Sequence, residues 1–459
     1  PVDLYNEKGY DAIAAAASGE AVTLSLSELG LPVGLAASHI AAGTNFPEHA
    51  EEATVEDGPF LFAKEVAPTP FDAPSENAET CGLSEETART AKRMIDEGLA
   101  WLMTKQGQNG LWMIATQAQP SDQPDWEDTV PVDLAVSALV MKGLAQTGEP
   151  TPELQKAVHG IIMGTGLASD EFNPSKGGKI GTYVASTIVS GLSSLGDLQQ
   201  HDRMQEAITW LRASQWQAED QISPEEDWYG GVGYGKHGRP DLSNTQMMLE
   251  ALHDAGVSPE DPAIQEALVF VSRSQNLKAT NPSAWAQAGS NDGGFIYTPA
   301  NGGESMASQY VGEGRYGELL SESDPRRLRS YGSMTYAGFK SLLHAGLNEN
   351  DPRVEAAMGW IRRNWTLQEN PGVGQQGLYY YFHAVSRALA AAGWKNITTE
   401  DGVVHDWKEE LVERLESLQR PDGSWVNPQD RWLESEAILT TAYSVLALEE
   451  VLKPVRDGI

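Results

Sequence analysis

The stretch "QGQNGLW" (residues 106–112) recurs near the other end of the chain as "QRPDGSW" (residues 419–425). Both copies follow the pattern Gln-x-x-x-Gly-x-Trp. In such a turn the Gly allows a positive φ, the Trp can pack back over the end of the preceding helix, and the Gln amide can satisfy free backbone groups there. Each copy therefore predicts a turn between two helices.

Helical segments of two kinds alternate along the chain. Those of the first kind carry a large apolar residue near their end: Trp101, Trp210, Phe270, Trp360 and Leu415. Those of the second kind are richer in small residues and end at a glycine: Gly148, Gly196, Gly256, Gly346 and Gly393. With "ELQKAVHGIIMGTG" (153–166) as the weakest member and "LTTAYSVLALEEVL" (439–452) as the last, the segments form six helix pairs.

A single helix pair cannot bury its apolar face, so neighbouring pairs must stack. Six pairs predict an all-α fold, an (α/α)6 toroid over residues 84–459, with the second helices on the inside around a central cavity. An open superhelix of helix pairs is the alternative. Residues 1–75 differ in composition and predict a small α/β or irregular segment, joined by a linker at 76–83.

The two Gln-x-x-x-Gly-x-Trp motifs resemble those of the squalene cyclase and protein prenyltransferase repeat family. Degenerate versions follow at "DWYGGVGYG" (227–235) and "NDGGFIYTP" (291–299). The resemblance covers about residues 84–452. It implies a toroid with an aromatic-lined, apolar cavity that binds an extended apolar ligand.

The N-terminal segment is punctuated by prolines and is strand-like around "PFLFAKEV" (59–66). Its stretches "NFPEHAEE" (45–52) and "PFLFAKEVAPTP" (59–70) resemble the entry segment of the fumarylacetoacetate hydrolase family. That resemblance implies an active-site role for His49 and Glu52. The family also needs a later Glu-x-Glu carboxylate cluster for its metal, and no such cluster follows here. The segment is therefore interpreted as an inactive remnant.

Charge and composition narrow the classes of partner. The 459 residues include 65 acids against 32 bases, for a net charge of −33, and such a surface repels nucleic acid and anionic lipid. No apolar stretch reaches the roughly 18–20 residues of an integral membrane span, and no signal peptide is visible, which leaves the localisation open. The expected partner is a small apolar or oligomeric ligand in the central cavity.

Cysteine use bears on metals and cofactors. The chain has one cysteine, Cys81, which excludes an internal disulfide and a multi-cysteine metal cage. The zinc of the prenyltransferase branch needs an Asp, a Cys and a His, and Cys81 precedes the first helix of the repeat. We therefore expect neither a metal nor a cofactor.

The stretch "GRPDLSNTQ" (238–246) lies where the cyclase family keeps its acid motif, Asp-x-Asp-Asp-Thr. Asp241 and Thr245 match it, whereas Ser243 stands in place of the central proton-donating Asp. A serine hydroxyl is far too weak an acid to protonate an alkene, so proton-initiated squalene–hopene cyclisation is not expected. Asp241 is predicted to cap its helix, in the ionised form that helix-end donors favour.

Two further acidic residues, Glu127 and Asp292, stand in loops. "DWEDT" (125–129) spells a similar motif around Glu127, but it lies in a Pro-rich loop out of register with the helix starts, and is interpreted as solvated. Asp241 and Asp292 are the candidate catalytic acids near the mouth of the ring.

Aromatic and polar residues on inserted loops and inner helices are the candidate ligand contacts, although packing is a competing interpretation for each of them. They are Trp228, Tyr229, Tyr234, His237, Phe295, Tyr297, Tyr331, Tyr336, Tyr380, His383 and Arg387.

Three functions stay open at this point: a terpene-cyclase-like protein with an extended apolar ligand, a carbohydrate-active lyase or hydrolase on the same toroid, and a non-catalytic binding or assembly module. The fold does not choose among them. The cavity wall can, because an apolar wall favours a polyene, whereas carboxylates, Arg and aromatic platforms favour a sugar.

Overall fold

The computed structural model describes residues 40–42, 61–63, 78–114, 130–148, 150–167, 172–175, 180–196, 201–307 and 328–455. The chain divides into two compact units, Pro1–Pro70 and Phe71–Ile459. In the first unit, strands β1 (Ile40–Ala42) and β2 (Leu61–Ala63) pair antiparallel, with Ile40 opposite Ala63. Strand β2 falls within the predicted strand-like stretch, whereas His49 and Glu52 lie outside the described residues, as does Glu127.

Within its described residues, the second unit contains twelve long helices. In chain order they are α1 (Glu85–Met103), α2 (Pro131–Gln146), α3 (Pro152–Thr165), α4 (Gly181–Ser194), α5 (His201–Arg212), α6 (Leu242–Asp254), α7 (Pro262–Arg273), α8 (Gly332–His344), α9 (Pro352–Asn364), α10 (Leu378–Ala391), α11 (Trp407–Leu418) and α12 (Ala437–Val451). Two short helices, Ala78–Cys81 and Ala284–Ala288, and a hairpin of β3 (Asn396–Thr398) with β4 (Val404–Asp406) complete the regular structure that is described.

The six even-numbered helices close into an inner ring. Each packs on the next, in the order α2, α4, α6, α8, α10 and α12, and α12 packs on α2 again. The odd-numbered helices pack outside, against the inner helices and, in the case of α1, also against α11. The fold is therefore a closed (α/α)6 toroid, and the open superhelix is excluded.

The turn motifs explain how the ring is held together. In the first, the Gln106 side-chain amide donates to the carbonyl oxygens of Gly110 (2.9 Å) and Glu153 (2.8 Å), and thus joins the turn to α3. Two glutamines that the sequence pattern did not predict repeat this contact: Gln215 with Gly230 and Ala263, and Gln275 with Gly293 and Arg353.

The glycine of each motif fits directly against an outer helix. Gly110, Gly230, Gly293 and Gly423 all have a positive φ, and a Cβ there would press on backbone atoms of α3, α7, α9 and α1, respectively. The last of these contacts, Gly423 on Glu97 of α1, joins the end of the repeat to its beginning.

The predicted glycine stops are confirmed. Gly148, Gly196, Gly256, Gly346 and Gly393 all adopt a positive φ just after an inner helix. The left-handed conformation lets the chain leave a helix without the strain that a Cβ would cause, which is why glycine stands at each of these ends.

Hydrogen bonds also tie the two ends of the toroid. Cys81 is buried, and its Sγ donates to the carbonyl oxygen of Leu452 at 2.7 Å. The Lys408 ammonium donates to the carbonyl oxygens of Cys81 and Lys453, both at 3.0 Å. Among the described helices, none has the length and apolar character needed to cross a membrane.

Candidate functional site

A shared register places the inner helices at equal depth around the ring axis. The backbone N–H groups of Trp112, Val232, Phe295 and Trp425 donate to hydroxyls one turn into α2, α6, α8 and α12. Those hydroxyls belong to Ser137, Thr245, Thr335 and Thr441, at 2.8–3.1 Å. These four hydroxyls therefore share a structural role, which is to hold each turn to its inner helix.

Two residues before this position, a chain of hydroxyls spans the mouth of the ring. The Tyr183 hydroxyl lies 2.5 Å from Ser243 Oγ, which lies 3.1 Å from the Tyr380 hydroxyl. The Gln246 amide donates to the same Tyr380 hydroxyl at 3.1 Å. Tyr183 and Tyr380 keep partial solvent exposure although they stand on inner helices.

Four more tyrosines surround this chain, and the six together are called the tyrosine cluster: Tyr183, Tyr234, Tyr297, Tyr331, Tyr380 and Tyr443. The Tyr297 hydroxyl donates to that of Tyr234 at 3.1 Å, and the Tyr234 ring lies 5.9 Å from that of Tyr183. The Tyr443 ring lies 5.9 Å from that of Tyr380. Burial raises the pKa of each of Tyr183, Tyr331, Tyr380 and Tyr443 above its usual value, so these hydroxyls are neutral at physiological pH.

Asp241 lies near the tyrosine cluster, since its charge acts on four of the six tyrosines, Tyr183, Tyr297, Tyr331 and Tyr380. Its Oδ1 accepts from the Asn244 backbone N–H and its Oδ2 from the Asn244 side-chain amide, both at 2.8 Å, so the predicted capping of α6 is confirmed. The helix-end donors favour the ionised form of Asp241, as predicted, but a larger opposing effect of burial was not foreseen. Burial raises the pKa of Asp241 to about 6, against the opposing effects of Asn244, Tyr297 and Arg239. Desolvation outweighs the helix-end donors because the side chain is almost wholly inside the protein.

A layer of buried ion pairs, called the charged layer, joins the inner helices. Arg387 Nε donates to Glu250 at 2.9 Å, its Nη2 to Asp254 at 2.8 Å, and its Nη1 to Glu450 at 2.6 Å. Lys142 binds Asp254 at 2.8 Å. Two further ion pairs, Lys340 with Glu250 and Lys453 with Glu450, complete the charged layer.

The charged layer links inner helices that are not neighbours on the ring. Lys142 of α2 binds Asp254 of α6 across the gap that α4 spans on the ring, and Arg387 of α10 binds Glu250 of α6 past α8. Nearby cations hold the pKa values of Glu250 and Asp254 well below their usual range despite burial. Both carboxylates are therefore ionised.

His383 lies between the charged layer and the tyrosine cluster. Its ring is 5.5 Å from that of Tyr443, and burial lowers its pKa to about 3. The imidazole is therefore neutral at physiological pH.

Several predicted contacts lie elsewhere. Trp228 packs edge-on against Trp216, whose ring is also 5.0 Å from that of His237, and His237 pairs with Asp220 at 3.2 Å. The Tyr229 hydroxyl donates to Glu266 of the outer helix α7 at 3.3 Å. These three predicted residues, Trp228, Tyr229 and His237, lie on the loop between α5 and α6. Their contacts are with that loop and with α7, apart from the tyrosine cluster.

Four other predicted site residues also lie outside the tyrosine cluster, and three of them serve packing or turn geometry. Phe295 is fully buried at the position that Trp occupies in the turn motif, and Tyr336 is buried against Tyr381. Asp292 accepts from the Gly294 N–H at 2.9 Å and from the Ser330 hydroxyl at 2.7 Å within a turn. Arg387 belongs to the charged layer. Of the predicted residues, the structure brings together Tyr234, Asp241, Tyr297, Tyr331, Tyr380 and His383.

Sequence reasoning missed Tyr183, Gln246, Tyr443 and most of the charged layer. A signal for them exists in the register of the inner helices, in which Asp241 shares one repeat position, 15 residues before the glycine stop, with Asp133, Gly181, Tyr331 and Leu378. Two residues after this repeat position, the inner helices carry Tyr183, Ser243 and Tyr380. Nine residues after it, they carry Lys142, Ser190, Glu250, Lys340 and Arg387. Extending the alignment along the inward helix face finds both layers.

Among the described residues, no group of His, Cys, Asp and Glu side chains could hold a metal ion. No protein-family model and no curated protein sequence matches the chain. The resemblance of the N-terminal segment to fumarylacetoacetate hydrolases accordingly has no support from a family model.

Solved structures resemble the chain at low identity. A D-mannose isomerase is 13% identical with a TM-score of 0.49, over 79% of this chain and 97% of that one. A polysaccharide lyase is 10% identical with a TM-score of 0.43, over 80% and 97%. The type II terpene cyclase MstE from Scytonema is 15% identical with a TM-score of 0.31, over 79% and 98%. These likenesses say nothing about activity, and the closed ring stands on the helix contacts of this chain.

Proposed function

We propose that the toroid binds a polyhydroxylated ligand of the carbohydrate class. The ligand would occupy a concavity at the N-terminal ends of the inner helices, lined by the tyrosine cluster. The observation that carries this proposal is the hydroxyl chain of Tyr183, Ser243 and Tyr380, with the Gln246 amide at its end. These groups come from three inner helices, α4, α6 and α10, and two of the tyrosines remain accessible.

The cost of desolvation favours a sugar over a polyene. A buried hydroxyl that loses its hydrogen-bonding partner costs about 1–3 kcal/mol. A polyene would displace water from these hydroxyls and offer nothing in return, whereas a sugar replaces each lost hydrogen bond and presents flat faces to the tyrosine rings. The wall therefore supports the carbohydrate-active alternative better than an extended apolar ligand.

Asp241 is the candidate proton-transfer group for this ligand. A pKa of about 6 lies close to neutral pH, where a general acid or base works best. Tyr297 influences Asp241 and donates to Tyr234, whose side chain is exposed, so the two tyrosines link the buried carboxyl group to the ligand space. A lyase or a hydrolase can use such a group.

Calorimetric titration with a panel of oligosaccharides tests the binding. We expect Tyr380→Phe and Ser243→Ala each to weaken binding about 5- to 30-fold, as the loss of one hydrogen bond of about 1–2 kcal/mol predicts. Tyr336→Phe is the matched control, because it removes a tyrosine hydroxyl outside the cluster, and it should bind as the unmodified protein does. Equal binding by all three variants would contradict the proposal.

One observation keeps a second candidate function, cyclisation of a polyene. The raised pKa leaves a fraction of Asp241 protonated at neutral pH, in a position surrounded by aromatic rings. Incubation with squalene tests this candidate. A cyclic product that disappears in Asp241→Asn would favour it over the carbohydrate proposal.

A further inference from the structure

The loop between α11 and α12 carries two strained, exposed residues beside the tyrosine cluster. Trp432 and Leu433 have φ values of 59° and 64° and exposures of 42% and 43%. Each non-glycine residue in this region costs about 1–2 kcal/mol. Strain of this kind persists only where the surroundings enforce it, and it is concentrated at ligand-binding sites.

A buried carboxyl group anchors this loop to the first turn of α10. Glu434 accepts from the Tyr380 backbone N–H at 2.8 Å and from the Asn427 side-chain amide at 2.7 Å. It thereby supplies the N-terminal cap that Gly377, which precedes α10, lacks. The strained apex is held next to the helix turn that carries the Tyr380 hydroxyl.

Arg431 lies at the same apex of the loop, and the contacts described for its guanidinium are with neutral groups. Its guanidinium donates to Gln376 Oε1 at 2.9 Å and to Met306 Sδ at 3.5 Å, and it stacks 4.6 Å from the Trp432 ring centre. Among the residues that the structure describes, no carboxylate oxygen forms an ion pair with it, in a chain with 65 acids. Its charge acts on Tyr331, where it opposes the rise in pKa, so it lies near the cluster.

We propose that Arg431 binds a carboxylate of the ligand, which makes the ligand an acidic sugar of the uronic-acid class. This inference rests on the proposed function. The planar guanidinium matches the two oxygens of a carboxylate, and the Gln376 and Met306 contacts hold it in place before the ligand arrives. The part of the Trp432 ring that Gly377 and the Arg431 guanidinium leave exposed offers an apolar contact to the sugar, while the hydroxyl chain binds the ring hydroxyls.

The experiment compares each acid with its own methyl ester. Tetramers of galacturonic, glucuronic and mannuronic acid and their methyl esters are titrated against the unmodified protein, Arg431→Met and Arg89→Met. Arg89 is an exposed arginine on the outer helix α1 and serves as the matched control. The ester keeps every hydroxyl and removes only the charge.

We expect at least one acid to bind ten-fold or more tightly than its ester, with a preference that weakens as salt rises. Arg431→Met should abolish this preference and leave ester binding unchanged, and Arg89→Met should change neither. Acid and ester that bind equally, with no effect of Arg431→Met, would overturn the role of Arg431 and leave the proposed function intact. Binding of none of these sugars, together with none of the neutral oligosaccharides, would overturn both.

Discussion

Arg387→Met tests whether the charged layer holds the inner ring together. Arg387 makes three hydrogen bonds to buried carboxylates, at 2.9 Å to Glu250, 2.8 Å to Asp254 and 2.6 Å to Glu450. A hydrogen bond to a charged group contributes about 1.5–3 kcal/mol. The remaining lysines still compensate part of the carboxylate charge, so the expected loss is about 3–5 kcal/mol, the cost of breaking a buried ion pair.

The assay is equilibrium unfolding in urea, followed by tryptophan fluorescence and by circular dichroism. Arg89→Met is the control, because its ion pair with Glu85 is exposed and should be worth less than about 1 kcal/mol. The deficit of Arg387→Met should also shrink as the pH falls. Depressed carboxylate pKa values stabilise the protein above the unfolded-state pKa, and this stabilisation is lost on acidification towards the folded-state value, about 2 for Glu450.

A variant Arg387→Met as stable as the control at neutral pH would refute this reasoning. It would mean that desolvation of the arginine cancels its attraction to all three carboxylates. A loss of stability that does not depend on pH would instead attribute the effect to packing of the side chain.

Three further predictions concern single positions. Because the folded-state pKa of Asp241 is raised to about 6, the contribution of this group to stability is full below the unfolded-state pKa of 3.8 and is lost as the pH rises through 6. Relative to Asp241→Asn, the free energy of unfolding of the unmodified protein in urea should therefore fall by about 3 kcal/mol between pH 3.5 and 7.5. A difference between the two proteins that stays constant with pH would contradict this. Gly230→Ala should lower the free energy of unfolding by at least about 3 kcal/mol, since its Cβ would overlap the Glu266 carbonyl. Gly148→Ala, which has open space, should lower it by about 1 kcal/mol from its positive φ alone. Equal losses would be inconsistent with the close contact between Gly230 and α7. The N-terminal segment should not hydrolyse acylpyruvates with added magnesium or manganese, and turnover that His49→Ala abolishes would show otherwise.

The repeat is visible in the sequence because its signals are local. Helix pairs, glycine stops and the two complete turn motifs depend on residues within a few positions of one another, and all are found where the pattern predicts them. Gln215 and Gln275 escaped notice because inserted loops of unequal length separate each from its glycine. Their role becomes clear only when both partners are seen in space.

The site depends on contacts between helices that are distant in the sequence. Tyr183, Ser243 and Tyr380 occupy one layer, but which side chains of that layer meet is decided by the closure of the ring. Burial has the same origin. From the sequence, the helix-end donors predict an ionised Asp241, and only the surrounding tyrosine cluster adds the desolvation that raises its pKa to about 6. Local spacing thus determined the helices and their ends, whereas the tertiary structure decided the chemistry, because solvent exclusion is a property of the assembled ring.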